Sequence, residues 1–174
     1  MTKAVFLDRD GVINIEKNYL YKIEDFEFID GVFDALLYLQ NNGYLLFVIT
    51  NQSGIGRGYY TQNDFDKLTL WMVEKFKEKN IQIQEVQCCP HNPTDNCQCR
   101  KPKTLMIDNI LKNHSIDLEN SWLIGDKSSD ILCGKNANIK NTIQVQSGHK
   151  FDVNLSEADY TLPSLKQIQS VILV

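Results

Sequence analysis

The sequence predicts an α/β protein of three layers, a Rossmann-like parallel sheet with helices on both faces. Three observations predict this class. Short apolar segments alternate with amphipathic segments along the 174 residues, as they do in βαβ units. The apolar segments are nearly continuous, which is typical of parallel strands buried on both faces. Polar clusters follow these segments directly, as expected where parallel strands end at a ligand crevice.

Six segments are predicted as strands because each is a short apolar run that ends in polar or turn-forming residues. Residues 44–50 form the most continuous of these runs. A strand in this position would be buried on both faces, near the middle of the sheet. The full set of predicted strands is 4–7, 44–50, 83–87, 121–124, 142–145 and, as a short edge strand, 158–162.

Four segments are predicted as helices from the spacing of their apolar residues. In the longest of them, Phe65, Leu68 and Met72 recur at helical intervals, and we interpret this stripe as core packing. Gly43 provides a stop signal after the first helix. The predicted helices are 32–42, 62–79, 105–113 and 130–136.

Composition narrows the class of protein further. The hydrophobic fraction of 43% and the charged fraction of 23% are ordinary for a globular domain, and no linker divides residues 1–174. The net charge of −4 argues against a nucleic-acid partner. Neither a secretory signal pattern nor an apolar run of about 20 residues is present, so we expect a cytoplasmic protein without membrane contact. A monomer is expected as well.

Carboxylates follow two of the predicted strands. Asp8 and Asp10 come directly after the first strand, and Asp126 follows the fourth. Because the carboxyl ends of parallel strands share one edge of the sheet, these side chains are expected to converge there. Carboxylates in such a position suit Mg²⁺ and also a nucleophile with an acid/base partner. An Asp-rich turn without chemical function is the alternative for residues 8–11 taken alone.

Phosphate-binding features follow the other strand ends. Residues 50–58 form a glycine-rich loop, whose hydroxyls and backbone N–H groups can hold a phosphate. Arg100 and Lys101 are adjacent cations suited to oxyanions, and Lys127 is a third. Asp130 fits a helix cap and a site role equally well.

Four of the five cysteines lie within residues 88–99, which favours metal binding over a disulfide framework. Cys89, His91, Cys97 and Cys99 give a C-x-H pattern followed by C-x-C. Three thiolates and one imidazole are a tetrahedral donor set for a structural Zn²⁺. Cys88 is the alternative to Cys89 as a ligand. His149, like His114, has no partner pattern, and we interpret both as ordinary surface or helix-end histidines.

These residues together resemble the haloacid dehalogenase (HAD) phosphatase superfamily over most of the chain. The matching positions are Asp8-x-Asp10-Gly11 for its first motif, Thr50 for the second, Lys101 for the third, and Gly125-Asp126-x-x-x-Asp130 for the fourth. The resemblance implies a HAD-like sheet. The short connections between the motifs predict a minimal cap.

Within the superfamily, residues 50–54 resemble the histidinol-phosphatase-related branch, as do residues 89–102, which carry the predicted zinc ligands and are called the zinc loop. This branch includes heptose 1,7-bisphosphate 7-phosphatases and histidinol-phosphatases. Residues 7–14, 26–31 and 53–59 are closer to the heptose enzymes. The five-residue gap before Cys97 is more like the histidinol type. The expected function is therefore removal of the 7-phosphate of a heptose bisphosphate, in heptose or lipopolysaccharide-type carbohydrate biosynthesis, with histidinol-phosphate hydrolysis as the alternative.

The resemblance also implies a role for each site residue. Asp8 would be the nucleophile and Asp10 the general acid and base, with Thr50 and Lys101 at the phosphate. Mg²⁺ would be held by Asp8, Asp10 and Asp126. Substrate binding is expected at Asn14, Glu16, Tyr19, Asn51, Gln52, Ser53, Arg57, Arg100 and Lys127. Of these, Arg57 and Arg100 are expected to bind the second phosphate of a phosphorylated sugar.

Two other classes of protein are weaker alternatives. A polynucleotide 3′-phosphatase would need a basic, aromatic track for a strand, which the acidic composition disfavours. A non-enzymatic zinc module would account for the cysteines. It would not account for the convergence of Asp8, Asp10, Asp126 and Lys101.

Overall fold

The computed structural model, which describes residues 1–173, contains a six-stranded parallel sheet in the order β3-β2-β1-β4-β5-β6. The chain builds outward from β1 in one direction and then returns to add β4 on the other side. Two neighbouring crossovers therefore diverge beside β1, where open α/β sheets bind their ligands. The strands are β1 (Ala4–Leu7), β2 (Leu45–Asn51), β3 (Ile83–Cys89), β4 (Trp122–Gly125), β5 (Asn141–Val145) and β6 (Tyr160–Leu162).

Helices cover both faces of the sheet, which confirms the predicted three layers. The α-helices are α1 (Val32–Asn41), α2 (Ser53–Gly56), α3 (Gln62–Lys77), α4 (Leu105–Asn113) and α5 (Ser128–Asn136). A 3₁₀ helix at Leu165–Ser170 packs beside α1. None of the helices in residues 1–173 combines the length and apolar character needed to span a bilayer.

Side-chain alternation along β1 separates two apolar cores. Val5 and Leu7 pack with α1, α3 and the 3₁₀ helix at Leu165–Ser170, whereas Ala4 and Phe6 pack with α4 and α5. All four side chains are fully buried. Because β1 is held from both faces, the residues directly after it start from a rigid position. Asp8 is the first of these residues.

Several element boundaries differ from the prediction by one or two residues: α3 ends at Lys77 and β6 begins at Tyr160, and two further differences lie at the site. β3 continues to Cys89, so Cys88 and Cys89 belong to the strand and not to the loop after it. The predicted glycine-rich loop at residues 50–58 is also more ordered than expected. Its first two residues complete β2, and Ser53–Gly56 forms the one-turn helix α2. These local extensions arise because β2 and β3 pair up to Asn51 and Cys89, which propensity alone does not reveal.

Candidate active site

Asp8 lies at the end of β1 and pairs with a buried lysine. Lys101 Nζ lies 3.0 Å from Asp8 Oδ1, and the backbone N–H of Arg9 donates to the same oxygen at 2.8 Å. Burial, followed by the charge of Asp130, raises the pKa of Asp8 well above its ordinary value. Lys101 opposes this rise without cancelling it. The positive charge of Lys101 is therefore too small to neutralise the carboxylates that surround it.

Lys101 has an acceptor for each of its three ammonium hydrogens. Its Nζ lies 2.7 Å from Asp130 Oδ1 as well as 3.0 Å from Asp8, and it donates to the Ile49 carbonyl at 2.9 Å. Burial lowers the pKa of Lys101, but the charges of Asp130 and then Asp8 outweigh burial and raise it. The lysine is therefore a fixed cation beside the strand-end carboxylate.

Asp130 combines the two roles that the sequence left open. Its Oδ2 accepts the backbone N–H groups of Asp126 and Lys127 at 3.1 and 3.0 Å, which caps the first turn of α5. Its Oδ1 pairs with Lys101. The helix cap and the positioning of the lysine thus depend on one fully buried carboxylate.

Asp126 extends the carboxylate group toward Asp8. The turn after β1 brings Gly11 against Asp126, and a Cβ at Gly11 would lie 2.6 Å from Asp126 Oδ2. Gly11 also has a φ of +86°, so glycine meets both the space and the backbone requirement there. Asp126 Oδ1 is buried, and no hydrogen-bond partner for it is found in residues 1–173.

His149 is a site residue that sequence reasoning missed, because its interpretation as an ordinary surface or helix-end histidine is wrong. Its backbone N–H donates to Asp126 Oδ2 at 2.8 Å, and its Nδ1 lies 2.7 Å from the same oxygen. The loop after β5 brings this side chain to the cavity. A single histidine in a loop carries no spacing pattern that would have identified it. The interpretation of His114 as a helix-end residue agrees with its position directly after α4.

The carboxylates fit a hard divalent cation. Oxygen atoms of Asp8, Asp126 and Asp130 lie within 4.8 Å of one another. Asp130 is committed to Lys101 and to the α5 cap, whereas the unpartnered Asp126 Oδ1 is available as a ligand. Buried oxygen donors with a deficit of positive charge match the ligand preference of Mg²⁺.

Asp10 is held on the other side of the turn. Arg9 Nη2 donates to both of its oxygens at 3.0 Å, Asn14 Nδ2 donates to Oδ1 at 3.0 Å, and Gln52 Nε2 donates to Oδ2 at 3.0 Å. Burial raises the pKa of Asp10, but the charge of Arg9 and these hydrogen bonds outweigh burial and lower it. Arg9 is a second residue that the sequence analysis did not select.

A cavity with two adjoining lobes opens at this edge of the sheet. The inner lobe, of about 190 Å³, is lined by Asp8, Lys101 and Asp130. The outer lobe, of about 280 Å³, is lined by Tyr19, Arg57 and Tyr60. Both lobes share the side chains of Asp10, Glu16, Asn51, Ser53, Arg100, Lys127 and His149. The lining is therefore rich in charge of both signs.

Most of the predicted substrate-binding residues lie at this cavity, but two of them are turned toward Asp10. Glu16, Tyr19, Asn51, Ser53, Arg57, Arg100 and Lys127 line one lobe or both. Asn14 is fully buried and lines neither lobe. Gln52 lines the outer lobe but is almost fully buried, and its amide donates to Asp10 and to Thr50. Thr50, next to the last residue of β2, is itself buried and lines neither lobe.

Asn51 connects β2 to the segment that carries the cations. Its Oδ1 accepts the backbone N–H of Lys101 at 3.0 Å, and its Nδ2 lies 3.4 Å from the Lys101 carbonyl. This pair of contacts fixes the Arg100–Lys101 backbone against the end of β2. The two residues are thereby held at the cavity even though 50 positions separate them from Asn51.

The four predicted zinc ligands converge on one point. Atoms of Cys89, His91, Cys97 and Cys99 lie 2.6 to 3.6 Å from one another as neighbouring pairs, and all three thiols are free of disulfides. Cys88 lies outside this group, in agreement with the choice of Cys89. Three sulfurs and one imidazole nitrogen within 4.8 Å fit a tetrahedral zinc ion.

The fold and the site together define a phosphohydrolase of the HAD class, with strand-end carboxylates beside a buried lysine. Residues 98–168 match a family model described as HAD-hydrolase-like. A D,D-heptose 1,7-bisphosphate phosphatase from B. bronchiseptica, solved with magnesium and phosphate, is similar in fold. The TM-score is 0.83 at 24% identity, over 97% of this chain and 96% of that one.

Curated relatives are considerably closer in sequence. A D-glycero-beta-D-manno-heptose-1,7-bisphosphate 7-phosphatase from Helicobacter pylori is 51% identical over 81% of this chain and 82% of its own. The alpha-anomer enzyme of Campylobacter jejuni is 50% identical over 86% of both chains. A Pasteurella multocida relative of the beta type is 40% identical over 99% of this chain and 97% of its own. The chain therefore belongs to the heptose-1,7-bisphosphate 7-phosphatase family of HAD phosphatases.

Proposed function

We propose that the protein removes the 7-phosphate of D-glycero-D-manno-heptose 1,7-bisphosphate through an aspartyl-phosphate intermediate. The observation that carries this proposal is the two-lobed cavity. Its inner lobe contains Asp8 beside Lys101, and its outer lobe contains Arg57. A sugar with a phosphate at each end would place one phosphate in each lobe. The names of the relatives support the same substrate, and they give no support to histidinol phosphate.

Asp8 is proposed as the nucleophile. One of its oxygens, Oδ1, is engaged by Lys101 and by the backbone of Arg9. The other oxygen would attack phosphorus, forming a new P–O bond as the bond to the sugar oxygen breaks. Water would then attack the aspartyl-phosphate, which releases inorganic phosphate and restores the carboxylate.

Asp10 is proposed to move the protons in both steps. Because the pKa of Asp10 is lowered, its carboxylate would first take up the proton that the phosphate monoester brings into the site, then pass it to the departing sugar oxygen, and finally accept a proton from the attacking water. The residue lines both lobes and its side chain is 19% exposed, so one edge of it reaches the cavity. One residue, Arg9, separates the two aspartates along the chain, and the turn at Gly11 follows them immediately.

Thr50 and Asn51 are proposed to hold the phosphate oxygens, on which charge spreads in the transition state, while Lys101, whose three hydrogens are already engaged, offsets that charge from beside Asp8. Thr50 Oγ1 accepts a hydrogen bond from Gln52, which leaves the hydroxyl hydrogen free to donate to phosphate. Asp8, Asp126 and the backbone carbonyl of Asp10 would hold Mg²⁺. When bound, this cation offsets the repulsion between the carboxylate and the phosphate.

Arg57, Arg100 and Lys127 are proposed to bind the distal phosphate. Arg57 lies in the outer lobe, 6.0 Å from the ring centre of Tyr19. Arg100 and Lys127 stand at the boundary between the two lobes. These three cations are separate from Lys101, which is committed to Asp8 and Asp130. A substrate with a single phosphate would leave most of this charge without a partner.

The zinc cluster is proposed as structural. All four donors come from the protein, so the tetrahedral set has no position for a substrate. The zinc loop also carries Arg100 and Lys101. The monomeric state, the cytoplasmic location and the lack of nucleic-acid or membrane partners stay predictions from the sequence.

Phosphate release with Mg²⁺ is the measurement that tests the proposal. Both anomers of heptose 1,7-bisphosphate and histidinol phosphate would be compared in parallel, with the Asp8→Asn variant as the inactive control. We expect a kcat/KM for the preferred heptose anomer at least about 10²-fold above that for histidinol phosphate, since a distal phosphate adds charge-assisted bonds. A preference for histidinol phosphate would refute the substrate. Full activity of Asp8→Asn would refute the nucleophile.

A further inference from the structure

Three buried polar side chains enclose Asp10, and we call this group the Asp10 frame: Arg9, Asn14 and Gln52. Each is at most 3% exposed. Together they direct five hydrogen bonds of 3.0 to 3.3 Å at the two oxygens of one carboxylate.

Gln52 has its amide hydrogens committed inside the protein. Its Nε2 donates to Asp10 Oδ2 at 3.0 Å and to Thr50 Oγ1 at 2.8 Å, while its Oε1 accepts the Tyr60 hydroxyl. The reversed amide would place its oxygen against a carboxylate that can only accept, so this orientation is the favourable one. Gln52 therefore borders the outer lobe with no amide hydrogen left to give to a ligand.

Arg9 is buried against Asp10 at a considerable desolvation cost. Its Nε and Nη2 form a fork on the carboxylate, and Nη2 also donates to the Leu20 carbonyl at 3.1 Å. Within residues 1–173, its Nη1 is buried without a partner. Arg9 lines neither lobe of the cavity. A charge buried this deeply, and out of reach of a ligand, acts through the residue that it contacts.

We propose that the Asp10 frame positions the Asp10 carboxyl group for proton transfer to the departing oxygen, and that none of its three members binds the substrate. This inference rests on the proposed function. It replaces the sequence prediction that Asn14 and Gln52 contact the substrate. The frame holds the carboxyl group from behind, so that its exposed edge faces the cavity in one orientation. A carboxyl group that rotated away would lose the reach that proton transfer requires.

The leaving group distinguishes this positioning role from a general structural one. A sugar alkoxide is a poor leaving group and needs a proton as its bond to phosphorus breaks, whereas p-nitrophenolate needs little help. The parameter kcat/KM reports the enzyme up to the first irreversible step, which includes departure of this group. Loss of the frame should therefore reduce kcat/KM for the sugar phosphate far more than for p-nitrophenyl phosphate.

The experiment compares Gln52→Leu and Arg9→Lys with the wild type on these two substrates. For the heptose bisphosphate, we expect kcat/KM to fall by about 10²-fold, the cost of misplacing a reacting group by roughly 1 Å. The loss on p-nitrophenyl phosphate should be at least about tenfold smaller. The bond from Gln52 to Thr50 affects the phosphate that both substrates share, so the difference between them isolates Asp10.

Gln40→Leu is the matched control. This glutamine is also bonded through both ends of its amide, to the Asn80 carbonyl at 2.8 Å and to the backbone N–H of Gln82 at 2.7 Å, but it lies on α1 and lines neither lobe. The Gln40→Leu variant should have a changed melting temperature but an unchanged kcat/KM on both substrates. Equal losses on both substrates in Gln52→Leu would overturn the proposal.

The outcomes also separate this inference from the proposed function. A wild type that hydrolyses p-nitrophenyl phosphate and other sugar phosphates but not the heptose bisphosphate would refute the substrate alone. The frame would then be tested on the best sugar phosphate in the same way. Should Arg9→Lys fail to fold, Gln52→Leu decides, because replacing an amide by an alkyl group of similar size leaves the buried charges unchanged.

Discussion

At the scale of single residues, Arg100 is the side chain whose removal best separates the two phosphate positions. It lines both lobes, whereas Lys101, its neighbour, is buried against Asp8. Under the proposed function, these neighbouring residues on one segment would serve different phosphates. Arg100 is able to contact a distal phosphate bidentately, which Lys101 is not positioned to do.

Arg100→Ala should reduce kcat/KM for the heptose bisphosphate about 10- to 150-fold, the equivalent of a hydrogen bond to a charged group. For p-nitrophenyl phosphate, which has no distal phosphate, the change should stay within about threefold. Steady-state phosphate release on both substrates measures this. Lys79→Ala, at an exposed position that lines neither lobe, is the control for general loss of charge. Equal losses on both substrates would contradict the distal-phosphate role.

The residues that sequence reasoning identified are those with a pattern. Asp8, Asp10 and Asp126 follow apolar runs, and the zinc ligands have recognisable spacing. Arg9 and His149 have no such signal. The function of Arg9 depends on its being buried against Asp10, and His149 reaches Asp126 from a loop 23 positions away. Contacts of this kind are set by tertiary packing, so they become visible only in three dimensions.

At the scale of elements, the zinc loop and α2 form one supporting unit for the cavity. The backbone N–H of Gly56 donates to the Pro90 carbonyl at 2.8 Å. A Cβ at Gly56 would lie 2.7 Å from the backbone nitrogen of Asn92, so only glycine allows this approach. The zinc loop thus supports the loop that carries Ser53, and it carries Arg100 itself.

Cys97→Ser should lower the zinc content from about one ion per chain to well below half, because zinc binding and local folding are coupled. The melting temperature and kcat should fall with it, since both loops lose their support. Elemental analysis, thermal unfolding and phosphate release would be measured on the same preparation. Cys88→Ser is the matched control, one residue before a ligand but outside the cluster. Unchanged zinc in Cys97→Ser would exclude this ligand set.

The order and type of the helices and strands were predicted better than the residues at which they begin and end. β1 and α4 agree with the sequence at both ends, because a strong apolar run or a strong helical stripe ends at a clear turn signal. The ends of β2 and β3 were placed one and two residues too early. Their last residues pair with each other beside polar side chains, and hydrophobic periodicity does not register that pairing.

At the scale of the whole molecule, charge is distributed unevenly around the sheet. Four aspartates, Asp8, Asp10, Asp126 and Asp130, meet at its carboxyl edge. Buried cations neutralise part of this negative charge. Arg9 pairs with Asp10, and Lys101 pairs with both Asp8 and Asp130. Within residues 1–173, the half-exposed His149 is the only basic side chain that pairs with Asp126. The folded state therefore contains an uncompensated carboxylate where the unfolded chain would have a solvated one.

Mg²⁺ should consequently stabilise the folded protein in the absence of any substrate. At about 100 times its dissociation constant, a ligand that binds only the folded state contributes about 2.7 kcal/mol. For a chain of this size, that corresponds to a rise in melting temperature of about 5–10 °C. Thermal unfolding of zinc-loaded protein, with and without Mg²⁺ at constant ionic strength, measures this rise.

Asp126→Asn tests whether the rise belongs to this site. The amide removes the negative charge and keeps the shape, so the variant without Mg²⁺ should be at least as stable as the wild type, because charge repulsion among the carboxylates falls. The effect of Mg²⁺ on its melting temperature should be nearly lost. Asp25→Asn, on an exposed 3₁₀ turn, should retain the full effect. An equal rise in Asp126→Asn would show that Mg²⁺ stabilises the fold elsewhere, and the carboxylate edge would then have to balance its charge by holding a proton.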